Sequence, residues 1–557
     1  MNTFFKTTLF SAATSLFLTG CGAPKLLSTP IANIDKLPLK TRSLSTDELK
    51  SWGSADLTTD TIPGMSINKA YAELLKNKKG VPVIVGVIDS GVDIEHEDLK
   101  NVIWTNKSEI PGNGKDDDNN GYVDDIHGWN FLGDIVSENL ELTRIVRDEN
   151  AKFSGKTLAD IPAADRDAYA TYTQAKAELA EKVTENTQNS SRYKGLLEQI
   201  TTAHTAVAKA LGKEDYTKKE LQDFKPETTE MQQNVGGLLQ MYSNLEDGQR
   251  IPDIISEING AVEYFEGGLE SHYNLNLDAR KILGDNPNDI KDTKYGNGDV
   301  DGPDSDNKEN TKHGTHVSGI IAAQRDNNVG MNGVANNAKI MVLRAVPDGD
   351  EYDKDIALAI RYATDNGAKV INGSFGKYYS THPEWVRDAI KYAASKDVLI
   401  IKAAGNESKN LDENVVYPND QIKLGDEIST NFLTVGALNH TYGSEMIAPF
   451  SNYGKDNVDV FAPGMKIWAT TPNNTYEYLQ GTSMAAPAVA GVAAIIRSYF
   501  PKLTAPQVKK ILMDSGVQTT NTVMVAGDPS NTKKFPEISK SGKMVNLYNA
   551  FIMASKL

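Results

Sequence analysis

The sequence predicts an α/β fold, a doubly wound parallel sheet that carries a large helical insertion. Three observations predict it. Through the second half of the chain, short apolar runs alternate with amphipathic helical stretches, the pattern of strands covered on both faces by crossover helices. Far upstream, Val83-Ile-Val-Gly-Val-Ile-Asp89 reads as one more buried strand. From about Leu132 to Tyr295 the alternation stops, and stretches rich in Ala, Leu, Lys and Glu take over.

Each element has its own signal. Ile67–Asn77 reads as a first helix ahead of the strand that ends at Asp89. A Ser-Gly turn follows Asp89, and ligands and catalytic groups gather at that edge of open α/β sheets. The stretch up to Gly128-Trp-Asn-Phe131 belongs to the same core. Helical spacing without proline predicts helices over Thr171–Glu185 and Arg192–Leu211. Two more are expected over Thr229–Tyr242 and Asp253–Phe265, the latter with its proline just before the start. His313 opens a helix whose Gly and Ala residues suit close packing. Then come strand Ala338–Ala345, helix Asp353–Asn366, strand Val370–Gly373 and helix Pro383–Ser395. Strands Val398–Ala403 and Phe432–Ala437 follow, and an apolar helix runs from Thr482 to Ile496.

Three segments carry chemistry. Gly481-Thr-Ser-Met-Ala-Ala-Pro487 is a small-residue turn that presents Ser483 at the start of the apolar helix. Backbone N–H groups without partners point there at whatever the hydroxyl attacks. His313-Gly-Thr-His-Val-Ser-Gly319 supplies an imidazole able to take a hydroxyl proton and return it to a leaving amine. Of the eight histidines only His313 and His316 lie in such a context; His313 is assigned the base and His316 a structural role. Asp89 is the carboxylate that would complete the set.

With Asp89-Ser-Gly, the His313 segment and the Ser483 segment in this order, the chain resembles the subtilisin-like serine proteases, the subtilases. The resemblance implies a subtilisin-like sheet and a serine endopeptidase acting on polypeptides. Asp89 would orient the imidazole, His313 act as base and acid, and Ser483 attack. Val398-Leu-Ile-Ile-Lys-Ala-Ala-Gly-Asn406 resembles the segment carrying the oxyanion-hole asparagine, here Asn406. Lys369–Gly376 resembles the strand that pairs with extended substrate. Ser374, Phe375 and Gly376 would border the pocket for the residue before the scissile bond, with Ala403, Ala404 and Gly405 opposite. Small side chains there imply a roomy, mostly apolar pocket. Asp98 and Asn327 match positions that hold structural calcium in the family.

A second calcium candidate is read from spacing. Asp116, Asp118, Asn120 and Asp124 alternate around Gly121 as in EF-hand loops, but His127 stands where the twelfth-position glutamate would. Asp299, Asp301 and Asp304 read better as a solvated loop. No H-E-x-x-H or G-x-S-x-G pattern points to a zinc protease or an α/β-hydrolase esterase.

The chain has 557 residues, a formal net charge of −16 and a pI near 5.1. That charge argues against nucleic-acid binding, and no apolar run reaches membrane-spanning length. The single cysteine, Cys21, follows Lys6, an apolar stretch from Leu9 to Leu18, and Thr-Gly. Leu18-Thr-Gly-Cys21 resembles the bacterial lipoprotein box, which implies removal of residues 1–20 and acylation of Cys21. The protein is then expected to be lipid-anchored in a bacterial cell envelope. Residues 21–55 read as a tether and lead-in, and 56–131 with 296–557 as a discontinuous catalytic domain. Residues 132–295 read as a helical insertion beside the cleft. There is little room for a prodomain before Val83. Two other readings stay open: a scaffolding lipoprotein without turnover, and a latent protease whose insertion covers the cleft.

Overall fold

In the computed structural model, residues 30, 34–35, 42–243, 249–303, 308–422 and 426–557 are described. Cys21 and the signal segment before it lie outside these residues, as does Asp304. The strands are β1 (Val83–Asp89), β2 (Gly128–Asn130), β3 (Ala338–Arg344), β4 (Val370–Gly373), β5 (Leu399–Ala403), β6 (Phe432–Leu438) and β7 (Val460–Pro463). Smaller strands are β8 (Ile467–Thr471), β9 (Thr475–Leu479), β10 (Val517–Gln518), β11 (Thr522–Val525), β12 (Asp528–Lys534) and β13 (Lys543–Met544). The helices are α1 (Thr46–Ser51), α2 (Ile67–Ala70), α3 (Glu141–Phe153), α4 (Arg166–Leu211), α5 (Lys218–Asp223), α6 (Thr229–Tyr242) and α7 (Ile251–Gly267). After them come α8 (Lys312–Ala322), α9 (Asp353–Asp365), α10 (Pro383–Ser395), α11 (Thr482–Tyr499), α12 (Ala505–Asp514) and α13 (Leu547–Ala554).

Nine strands form one sheet in the order β10-β13-β7-β6-β5-β4-β1-β3-β2. Every pair is parallel except β10 with β13. Period-two alternation divides the side chains between two cores. Val83, Val85 and Val87 of β1, with Ile340 and Val342 of β3, pack under α8 and α11. Ile88, Met341 and Leu343 pack under α9 and α10 on the other face. The chain leaves β3 on one side of β1 and returns as β4 on the other. This reversal opens a crevice at the carboxyl ends of β1 and β4. The register sets Asp89 opposite Arg344, Ile88 opposite Gly373, and Gly373 opposite Lys402.

The first predicted helix is shorter than expected. α2 covers four residues and continues as one π-type turn, Tyr71–Leu75. The described residues of the lead-in pack onto the core. Trp52 is buried, and its indole donates to the Met465 and Lys466 carbonyls. Ile34 is buried too, and the Asp35 carboxylate accepts from Thr519 and Thr520.

The helical block leaves from β2 and returns beside it, where Asn130 and Asn297 pair through their backbones. The two helices expected over 171–185 and 192–211 are one helix of 46 residues, α4. The polar run between them does not break it. Asn186 and Ser190 are buried, and Asn186 sits against Gly268 just beyond α7. Short side chains there let α4 and α7 pack closely. Pro252 lies within the first turn of α7, where a missing N–H costs nothing. The first half of α4 packs on α3 through Phe153, Tyr172 and Leu179. Its second half packs on α6 and α7 through Val207, Leu238 and Ile258.

Candidate active site

Asp89 ends β1 and is 2% exposed. Its Oδ1 accepts the Ser90 N–H at 2.8 Å and the His313 Nδ1–H at 2.7 Å. Glycine makes this meeting possible. A Cβ on Gly314 would lie 2.0 Å from the Gly91 carbonyl oxygen and 3.2 Å from the Asp89 Cβ, so only glycine lets α8 come this close. The His313 side chain remains 40% exposed, leaving Nε2 available at the crevice. Burial alone would lower its pKa, but the charge and hydrogen bond of Asp89 raise it above 6.5.

His316, one turn on, is fully buried, and its Nε2–H donates to the Ile467 and Glu477 carbonyls at 3.1 and 3.2 Å. Burial pushes its pKa down to about 3, so it stays neutral. It fastens α8 to β8 and β9.

Ser483 stands in the first turn of α11. Its hydroxyl donates to the Ser374 carbonyl at 3.1 Å, not to His313. The Ser374 hydroxyl in turn donates to the Ser483 carbonyl at 2.8 Å. Pro487 explains this bond. It has no N–H to offer the carbonyl four residues earlier, and Ser374 takes that place. The Asn406 Oδ1 accepts from the Thr482 N–H at 2.8 Å and the Thr482 hydroxyl at 3.0 Å. Its oxygen is thereby committed, which leaves the NH2 group as the free donor of a residue that lines the cavity beside Ser483.

A cavity of about 80 Å³ opens beside Ser483. Of the residues expected from sequence around the substrate pocket, Phe375, Gly376, Ala403 and Gly405 line it. Ser374 and Ala404 do not: both are buried, and Ser374 is occupied with α11. The cavity is less apolar than expected, because Tyr378, Lys402 and Glu407 also line it. Sequence reasoning passed over Lys402, although a lysine inside the apolar run Val398–Ala404 was visible. The tyrosine hydroxyl of Tyr378 donates to Glu407, which also accepts from the Asn406 N–H at 2.9 Å and Asn452 at 3.2 Å.

Behind Gly376 lies a buried ionic network. Lys377 contacts Glu141 and Asp353, each at 3.1 Å, and Glu141 also pairs with Arg144. Glu141 and Arg144 belong to α3, and the Asp350 carboxylate accepts the Glu141 N–H at 2.7 Å. Tyr379 donates to Glu178 of α4 at 2.7 Å. The helical block is thus fastened to the segment that follows the cavity wall.

The acidic loop rearranges the calcium candidates. Asp116 accepts from the Asn120 and Gly121 N–H groups, and Asp124 from those of Asn113 and Gly114. The Asn120 Oδ1 likewise accepts from the Tyr122 N–H. Asp118 instead converges with Glu109 and Asp125, their oxygens within 4.8 Å of one another. Glu109 Oε2 is buried there without a hydrogen-bond partner. Elsewhere, Asn327 donates to Asp98 at 2.8 Å. Asp301 pairs with Lys308, which also holds Asp93. Among the described residues no helix is long and apolar enough to cross a membrane.

The sequence profile of the subtilase family matches residues 80–535. The chain is 40% identical over 211 residues to a thermophilic serine proteinase of Bacillus sp. strain AK1, covering 38% of this chain and 47% of that protein. It is 35% identical over 211 residues to subtilisin DY of Bacillus licheniformis, covering 38% of this chain and 72% of that one. A solved protease of Pseudoalteromonas arctica PAMC 21717 is 31% identical over 43% of this chain and 70% of that one, with a TM-score of 0.34. The chain belongs to the subtilase family. It spans about half the length of the Bacillus AK1 relative.

Proposed function

We propose that this protein is a serine endopeptidase that hydrolyses polypeptides through an acyl-enzyme. The observation that carries this reading is the 2.7 Å bond from His313 to the buried Asp89, at a sheet edge that Ser483 and Asn406 also reach. Asp89 holds the imidazole with Nδ1 protonated, which leaves Nε2 as the base. For attack, the Ser483 hydroxyl turns from the Ser374 carbonyl to His313, a rotation about its Cα–Cβ bond. His313 takes the proton and returns it to the leaving amine. The Asn406 amide and the Ser483 N–H stabilise the oxyanion, and water then hydrolyses the ester. The decisive experiment is casein hydrolysis beside fluorophosphonate labelling. The parent protein is expected to cleave and to be labelled at Ser483, and Ser483→Ala to do neither. A fully active Ser483→Ala protein would sink the assignment.

The same reading extends to calcium and to the membrane. Glu109, Asp118 and Asp125 fit a hard cation, because Glu109 brings a buried oxygen that lacks a partner. Bound calcium would neutralise carboxylates that otherwise repel one another. Asp98 with Asn327 is the second proposed site. Cys21 is proposed as the acylated anchor in a bacterial envelope. Cys21→Ser should then shift the protein from the membrane to the soluble fraction.

A further inference from the structure

The cavity beside Ser483 contains a cation that the proposed chemistry does not use. Lys402 lies in β5, is 3% exposed, and lines this cavity together with Ser483, Asn406 and Gly376. Its ammonium sits 3.4 Å from where a Cβ on Gly376 would stand, against the same wall. Among the described residues, that ammonium makes no hydrogen bond and no ion pair. An unpaired ammonium deep in a protein is costly, and such groups are normally paired.

The neighbouring anions do not supply the missing partner. Glu407 shares the cavity wall, but its Oε2 is held by three other donors, and among the described residues no hydrogen bond or ion pair joins its carboxylate to Lys402. Glu351 lies behind the wall, where burial raises its pKa to about 7, so much of its charge is lost near neutral pH. Asp420, Glu427 and Asp459 line a separate cavity that Lys402 also borders. Glu427 and Asp459 are paired there with Lys509. Burial leaves Asp420 protonated up to about 7.

Ser483 and Asn406 both line this cavity, so a substrate carbonyl held between them would bring its own residue's side chain to the cavity that Lys402 lines. We propose that Lys402 is the specificity-determining residue for that side chain, and that the pocket takes a carboxylate, so that cleavage follows Glu or Asp. This inference rests on the protease reading above. The substrate carboxylate supplies the counter-ion that the fold withholds. A charge-assisted hydrogen bond of this kind separates Glu from Gln by roughly 10- to 100-fold.

Burial, opposed by the charges of Glu351 and Glu407, holds the Lys402 pKa down to about 8 in the empty pocket. The ammonium is charged below that value and neutral above it. Because kcat/KM reports the free enzyme, the preference for Glu should shrink as pH rises through about 8.

The test uses the full chain and fluorogenic peptides identical except for Glu, Asp, Gln or Leu before the scissile bond. At pH 7 the kcat/KM ratio of Glu to Gln is expected to be at least roughly tenfold. Lys402→Met is expected to bring that ratio to one or below. The ratio in the parent protein stands even if the variant does not fold. If the parent is labelled at Ser483 and cleaves the Leu peptide, yet shows no preference for Glu over Gln, the pocket inference is overturned and the protease reading survives. An unchanged ratio in folded Lys402→Met also overturns it. If no peptide is cleaved and Ser483 is not labelled, the protease reading itself has failed.

Discussion

Asp89 and His313 sit 224 positions apart in the chain, and their hydrogen bond has a readable pH consequence. The pKa of His313 is raised above 6.5, and as the proposed base it must be neutral to work. Activity should therefore rise with pH through a midpoint above 6.5, and the acid limb of kcat/KM checks this. The sign for stability is opposite: the charged pair stabilises the fold at pH below the unfolded value and is lost as pH rises through the folded one. Asp89→Asn keeps the shape but disturbs the tautomer, so turnover should fall by about 10⁴-fold. For Asn406→Ala a loss of about 10²–10³-fold in kcat is expected, the range known for removing this donor in subtilisin itself. The candidate residues were legible because serine, histidine and carboxylate each sit in a distinctive local setting. Lys402 was not, because nothing local tells whether a strand lysine points to solvent or into a cavity.

Elements set how closely those residues meet. α8 reaches β1 only because Gly314 has no Cβ, so Gly314→Ala should push the helix back. Overpacking of this kind costs about 1–3 kcal/mol, and Asp89 and His313 would lose alignment. A lowered Tm together with a disproportionate drop in kcat is the expected result. Most element bounds follow the periodicity to within a residue or so: α6, α10 and β4 have the predicted ends. α4 departs from it, because Asn and Ser are weak helix formers and look like a break when read locally. Packing against Gly268 overrides that preference. α3 has no capping side chain of its own at its start; Asp350, far along the chain, accepts the Glu141 N–H instead.

At the scale of the whole molecule, the helical block is tied to the catalytic core through charge as well as apolar contact. Glu141 answers both Arg144 and Lys377, all three of them buried. Glu141→Leu removes the carboxylate paired with buried Arg144 and leaves Lys377 with Asp353 alone, and should destabilise the protein by about 3–5 kcal/mol, read as a fall in the denaturation midpoint. With the proposed calcium bound at Glu109, Asp118 and Asp125, chelation should likewise lower Tm, and Asp118→Asn should blunt the effect. The sequence by itself determined the parallel sheet, the alternation of strands and helices around much of it, and the candidate residues for acyl transfer. Those features are written in local periodicity, turn chemistry and short motifs. Only the tertiary structure decided that Ser483 rests on Ser374, that Glu109 and Asp125 rather than Asp116 join Asp118, and that Lys402 faces the cavity. Each of these depends on contacts between segments far apart in the chain, where close packing and the desolvation of charge select one arrangement that no local pattern encodes.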